Sequence, residues 1–288
     1  MTDPLLLYGV GTLLGLFVGS FLNVVAFRVP RLLEYRWRNE CREVLGTGLD
    51  SDPEPPPPGI VWARSQCPHC GHAIRAWENI PILSFLFLLG RCSHCQGRIS
   101  FRYPLVEAGT ALLTLMVIHQ FGPTGQALGG MLLTWSLVAL SLIDYDTHLL
   151  PDDITLPLLW MGLLANTLGL FTDLTSSVIG AAVGYLSLWS VYQLFKALTG
   201  KEGMGYGDFK LLGLLGAWLG WSHIPQIILL SAVVGAVIGI GLILALGRDR
   251  NLPIPYGPYL AIAGWISLLW GDQINQAYLL WVGMGSFH

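Results

Sequence analysis

Long stretches without a single Lys, Arg, Asp or Glu recur along this chain of 288 residues. Only 11% of its residues are charged and 53% are hydrophobic, where a soluble domain carries about 25% charged residues. A hydrocarbon core of about 30 Å takes roughly 20 apolar residues to cross as a helix. In lipid a spanning segment must satisfy its own backbone hydrogen bonds. The chain therefore reads as an all-helical, polytopic membrane protein.

The charge-free runs place about eight spans. Pro4 to Phe27 is the first, too long for a signal-peptide core and without a basic leader. Ala108 to Ile143 holds the second and third, broken at Gly122-Pro123-Thr124-Gly125. Ile154 to Thr172 and Leu174 to Phe195 are the fourth and fifth. Leu211 to Leu246 holds the sixth and seventh, broken near Ser222-His223-Ile224-Pro225, and Asn251 to Gly271 is the eighth. The tail from Gln273 to Phe287 reads as interfacial. Eight Trp residues, from Trp135 to Trp281, suit interfacial belts or packing between helices.

Ten of the 15 basic residues lie between the first two spans. Lys196, Lys201 and Lys210 lie between the fifth and sixth, and Arg248 and Arg250 between the seventh and eighth. An eight-span count puts all these loops on one face, which the positive-inside rule makes cytoplasmic. The expected organisation is a first helix over 1–27, a cytoplasmic insert over 28–103 and a helical membrane core over 104–288. A net charge of −3 and a pI near 6.1 give no basic footprint for nucleic acid.

The first half of the insert, through the proline run ending at Pro58-Gly59, reads as a linker. The second half carries Cys67-Pro68-His69-Cys70 and, after 21 residues, Cys92-Ser93-His94-Cys95. Paired CxxC turns at this separation supply four thiolates in tetrahedral array, the arrangement of a structural Zn²⁺. Two disulfides are the rival reading, which a reducing compartment disfavours. Gly71 and Gly97 stand where the turns require tight backbone. His69, His72 and His94 read as bystanders, and Cys41 as a free thiol.

Acids are scarce elsewhere, and they cluster. Asp144, Asp146, Asp152 and Asp153 fall in the connection between the third and fourth spans, and Asp208 falls in Gly205-Tyr206-Gly207-Asp208 at the start of the sixth. Ionisable groups at membrane depth are functional candidates. Two carboxylates meeting there could share a proton, one activating water while the other polarises a carbonyl. Against this, Asp152 and Asp153 suit helix capping and Asp208 a helix dipole. Asp146 and His148 suit a solvated loop. No HExxH, GxSxG or GxxxxGK[ST] motif is present. A proton-coupled transporter with a zinc-stabilised domain would instead place its acids in mid-span.

Together these motifs resemble the bacterial type IV prepilin peptidases. The first span and its exit, Gly15 to Pro30, resemble that family's N-terminal signature. The CxxC pairs with Glu78-Asn79-Ile80-Pro81 between them resemble its cytoplasmic domain, and the Asp144 loop and the GxGD at Gly205–Asp208 its two aspartate motifs. The resemblance implies the helical GxGD aspartyl-protease fold, with Asp144 and Asp208 as the catalytic pair. It further implies cleavage of type IV prepilins and type II secretion pseudopilins at the cytoplasmic side of the inner membrane. The new N-terminus would then be methylated from S-adenosylmethionine. The runner-up within the family is a peptidase without methylation.

Overall fold

A computed structural model describes residues 3–46, 55–246 and 255–281. Among these residues there are nine α-helices and no strands, only two isolated β-bridges. The helices are α1 (Pro4–Leu45), α2 (Leu83–Phe87), α3 (Arg102–Phe121), α4 (Gly125–Thr147), α5 (Asp152–Thr167), α6 (Leu174–Thr199), α7 (Tyr206–Leu219), α8 (Ile224–Leu246) and α9 (Gly257–Trp281). Among the described residues each expected span holds a helix, and five helices are long and apolar enough by themselves to cross a membrane. The chain is a polytopic helical membrane protein.

Local signals set the helix limits. Asp3 caps α1, accepting the Leu5 N–H at 3.0 Å, and Pro4 opens the helix, where its missing N–H costs nothing. Thr124 caps α4 across the expected Gly-Pro break, and Asp173 caps α6, accepting from Ser176 N–H at 2.8 Å. Gly220, at φ 86°, ends α7.

The helices depart from the expected spans in three places. The polar sequence after Arg28 continues α1 to Leu45 through Pro30, and the linker reading fails for it. Residues 31–45 are rich in Leu, Arg and Glu, good helix formers, and Glu34 pairs with Arg38 one turn on. The rest of the proposed linker lies partly outside the described residues, as do Arg248 and Arg250. The interfacial tail as far as Trp281 is instead the last part of α9; residues 282–287 are outside the described residues. Finally, α5 and α7 have only 16 and 14 residues, about 24 and 21 Å long. A helix this short survives at membrane depth when other helices enclose it.

The chain forms two compact units, Met1–His119 and Gln120–His288. In the first, Gly15 and Gly19 of α1 lie against α3. A Cβ on either would sit 2.6 Å from Ala111 Cα or 2.7 Å from Glu107 Cα. Such small-residue faces let membrane helices approach closely. Where α1 leaves its apolar stretch, the buried Arg28 donates to the carbonyls of Gly59, Ala63 and Arg64 at 2.6, 2.9 and 3.1 Å. One guanidinium thus ties the returning chain to the helix.

In the second unit α7 is the centre, packed by α5, α6 and α9. Phe209, Leu211, Leu212, Leu214 and Leu215 are all fully buried, as expected of a helix that is apolar all round. Its C-terminal carbonyls are held by Asn166, which donates to Ala217 O at 2.9 Å and Trp218 O at 3.0 Å. Trp218 is a core residue, not part of an interfacial belt: it is 1% exposed and its indole N–H donates to Leu158 O at 2.9 Å. With that end fixed, the position of the α7 N-terminus, and so of Asp208, is determined.

Candidate active site

Asp144 sits on the last turn of α4, not in the following loop as the sequence suggests. The helix runs on to Thr147 because His148 adopts the left-handed conformation (φ 55°) and its N–H closes on Asp144 O at 2.9 Å. Helical geometry then divides the two candidate acids of this segment. Asp144 is 5% exposed, while Asp146, 200° further round the helix at about 100° per residue, faces out.

Asp208 is the third residue of α7, 7% exposed and close enough to Asp144 for their charges to interact. The structure therefore brings together Asp144 and Asp208 and leaves Asp146 outside. Asp152 and Asp153 occupy the first turn of α5, whose cap position is Pro151 with no side-chain cap bond. Asp152 takes both of its oxygens to Lys210 Nζ at 2.7 Å, which removes it from the buried pair.

Three further residues complete the acid site without having been legible in the sequence. The backbone N–H of Gly257, at the start of α9, donates to Asp144 Oδ2 at 3.0 Å. A Cβ at Gly257 would lie 2.6 Å from that oxygen, so only glycine fits. Leu150 fills the space between Gly207 and Gly257: a Cβ on Gly207 would fall 2.7 Å from Leu150 Cβ. Tyr256, whose hydroxyl bonds that of Ser231 at 2.7 Å, lies within electrostatic reach of Asp208. The available signal was the Tyr256-Gly257-Pro258 helix start, which marks a boundary but not a partner.

Gly257→Ala is expected to push Asp144 out of position. A misplacement of about 1 Å costs roughly 100-fold in kcat, and wild-type turnover of a leader substrate by this variant would contradict the role. Gly264→Ala, two turns along the same helix and against Leu215, is the packing control.

The four cysteines of the first unit converge as expected. Their Sγ atoms all lie within 4.8 Å of one another, and Cys67 Sγ and Cys95 Sγ are 3.8 Å apart. A Zn²⁺ at 2.3 Å from four sulfurs needs edges of about 3.8 Å. The two turns are built alike: Cys67 N–H donates to His72 O and Cys92 N–H to Gly97 O, each at 2.9 Å. The thiols act on one another: the His69 backbone N–H directed at Cys67 lowers that thiol, while burial and the neighbouring sulfurs push Cys70 up.

Gly71 takes the left-handed position in the first turn (φ 69°), but Gln96, not Gly97, takes it in the second (φ 58°). Gly97 is needed for space instead, since a Cβ there would lie 3.1 Å from the His69 ring and 3.3 Å from Cys95 Sγ. The histidines stay outside the cluster; His72 and His94 stack on each other at 5.1 Å. Cys41 is exposed on α1, remote in sequence from the four.

The fold and these two sites define a helical membrane protein with a buried pair of acids at one end of its core and a four-thiolate centre between its first two long helices. Residues 13–121 match the model of the bacterial peptidase A24 N-terminal domain, and residues 131–240 that of the type IV leader peptidase family. A Pseudomonas aeruginosa protein named prepilin leader peptidase/N-methyltransferase is 57% identical over 94% of this chain and 93% of its own length. Proteins of the same name from Aeromonas hydrophila and Xanthomonas campestris are 56% and 50% identical. They cover 96% and 94% of this chain, and 95% and 94% of their own lengths. No solved structure gives a significant match. The chain belongs to the type IV leader peptidase family.

Proposed function

We propose that this protein cleaves the leader from type IV prepilins and from type II secretion pseudopilins, and methylates the amine that cleavage exposes. Asp144 and Asp208 are its catalytic carboxylates. The observation that carries this reading is the burial of these two acids together at one end of the helical core of a leader-peptidase family member.

The chemistry follows from the pairing. Like charges at short range in a poorly solvated site do not both ionise, so the pair holds one proton between them. The ionised carboxylate removes a proton from water as the water oxygen attacks the scissile carbonyl, and the protonated one donates to the carbonyl oxygen. When the C–N bond breaks, the leaving amine takes the proton now held by one carboxylate while the other takes a proton back from a hydroxyl of the tetrahedral intermediate, so the pair again holds one proton. The Gly257 N–H keeps Asp144 aimed, and the backbone at Gly207 lets Leu150 close the site.

Both acids stand at a helix end, where the leader of a membrane-embedded substrate helix meets water. Lys196, Lys201 and Lys210 flank that same end of the chain's core, the pattern of a cytoplasmic face of the inner membrane. Cys67, Cys70, Cys92 and Cys95 would hold a structural Zn²⁺, which would fasten the two turns of the insert. S-adenosylmethionine, when bound, would supply the electrophilic methyl group for the amine that cleavage frees.

Incubating a purified prepilin with the wild-type protein or with Asp208→Ala, each with and without S-adenosylmethionine, tests the reading by mass. Leader loss with the wild type alone, and a gain of one methyl group only when the donor is present, is the expected result. Leader loss with Asp208→Ala removes Asp208 from catalysis. Cleavage without methyl gain leaves a peptidase alone.

A further inference from the structure

The segment from Ile80 to Leu89 is too short to cross a bilayer, and the acid pair makes no use of it. It folds as the five-residue helix α2, with Leu83 51%, Leu86 59%, Phe87 83% and Leu89 85% exposed. An apolar cluster of this size facing water is the mark of an interaction surface. Its backbone is also held in unusual conformations at both ends. Ile82 has φ 60° and Leu89 φ 51°, values that are outliers for bulky side chains and that persist only where surroundings enforce them.

What enforces the first is a membrane helix. Glu107, buried on α3, accepts the Ile82 N–H at 2.7 Å. Glu107 lies five residues into α3, about 7 to 8 Å along the helix axis from Arg102. This bond ties the start of α2 to the second turn of α3, one of the helices long and apolar enough to cross a membrane. Shortly after α2 in the chain, Arg91 and Arg98 face each other across an antiparallel bridge. Cross-strand like charges repel, and neither arginine has a carboxylate partner among the described residues. Two exposed guanidinium groups that closely follow an exposed apolar cluster in the chain complement anionic headgroups over acyl chains.

We infer that α2 is an interfacial anchor: Leu83, Leu86, Phe87 and Leu89 enter the acyl region of the leaflet, with Arg91 and Arg98 on lipid phosphates. The cysteine-bearing insert is thereby held to the bilayer surface in addition to its ties to α1 through Arg28 and to α3 through Glu107. This anchor stands whether or not Asp144 and Asp208 are the catalytic pair.

The test uses the full chain in membrane vesicles, with the photo-crosslinker benzoyl-phenylalanine at Phe87 or Leu89. Val44, 87% exposed near the polar end of α1, is the control position. Phospholipid adducts at Phe87 and Leu89, severalfold above Val44, are expected. In nanodiscs, Arg91→Glu with Arg98→Glu should reduce the Phe87 adduct in phosphatidylglycerol and leave it unchanged in phosphatidylcholine. Each arginine beside an anionic surface contributes about fivefold. Equal metal content in all variants establishes that the insert is folded. Adducts to a pilin or to a second copy in place of lipid, or a Phe87 yield no higher than Val44, would overturn the anchor. A phosphatidylglycerol adduct unaffected by the double charge reversal would overturn the role of the arginines.

Discussion

Asp144→Asn and Asp208→Asn each lower leader cleavage by about 10³-fold or more, and the double variant is no worse than either alone. General acid–base catalysis contributes about 10² to 10⁴ per group, but two carboxylates that share one proton act as a unit, so their losses do not add. Asparagine keeps the shape of the side chain, so the core around Phe209 and Leu150 stays packed and thermal stability in detergent is maintained. Asp146→Asn, on the exposed side of α4, should leave cleavage within a few-fold of wild type. Single-turnover rates on a purified prepilin, with methylation of an already cleaved pilin as the fold control, decide the matter. If Asp146→Asn is the inactive variant, the pair is misassigned.

The second large effect concerns the metal. Residues 55–101 carry only a five-residue α-helix, one short 3-10 turn and two isolated bridges, and most of their large apolar side chains are exposed. A segment this size lacks a core of its own and needs a staple. Structural Zn²⁺ supplies about 10 to 16 kcal/mol in small domains, more than such a segment has from packing. Cys67→Ser, or removal of the metal by chelation, should therefore unfold the insert and open it to trypsin at Arg64, Arg75, Arg91 and Arg98. Wild-type protein should carry one zinc per chain by elemental analysis. Full trypsin resistance and unchanged metal content in Cys67→Ser would refute the four-thiolate centre. Methylation is expected to fall with the insert, and leader cleavage assayed alongside shows how far the acid site depends on it.

The sulfur cluster was legible because its geometry is local. Each CxxC closes within one turn, so spacing alone nearly dictates that two thiolates face one point. Yet the details of the turns were not: Gln96 takes the left-handed backbone of the second turn. Gly97 is kept small by the His69 ring packed against it, a contact between the two turns.

The acid site was half legible. GxGD marked Asp208, and resemblance marked Asp144, but composition could not separate Asp144 from Asp146. That separation is a matter of helical phase, set when His148 ends α4 one turn later than the charge pattern indicates. Gly257 was out of reach altogether, because its role lies in a backbone N–H meeting a side chain 113 residues earlier.

By itself, then, the sequence determined which segments form apolar helices and which cysteines meet. These follow from transfer free energies and short-range turn geometry, which act residue by residue. The tertiary structure alone decided that α1 continues to Leu45, that the short α7 is enclosed by longer helices, and that Gly257 and Leu150 complete the acid pair. Such features depend on what packs against what across long chain separations. A low-dielectric interior makes the placement of a few polar atoms there matter far more than their number in the chain.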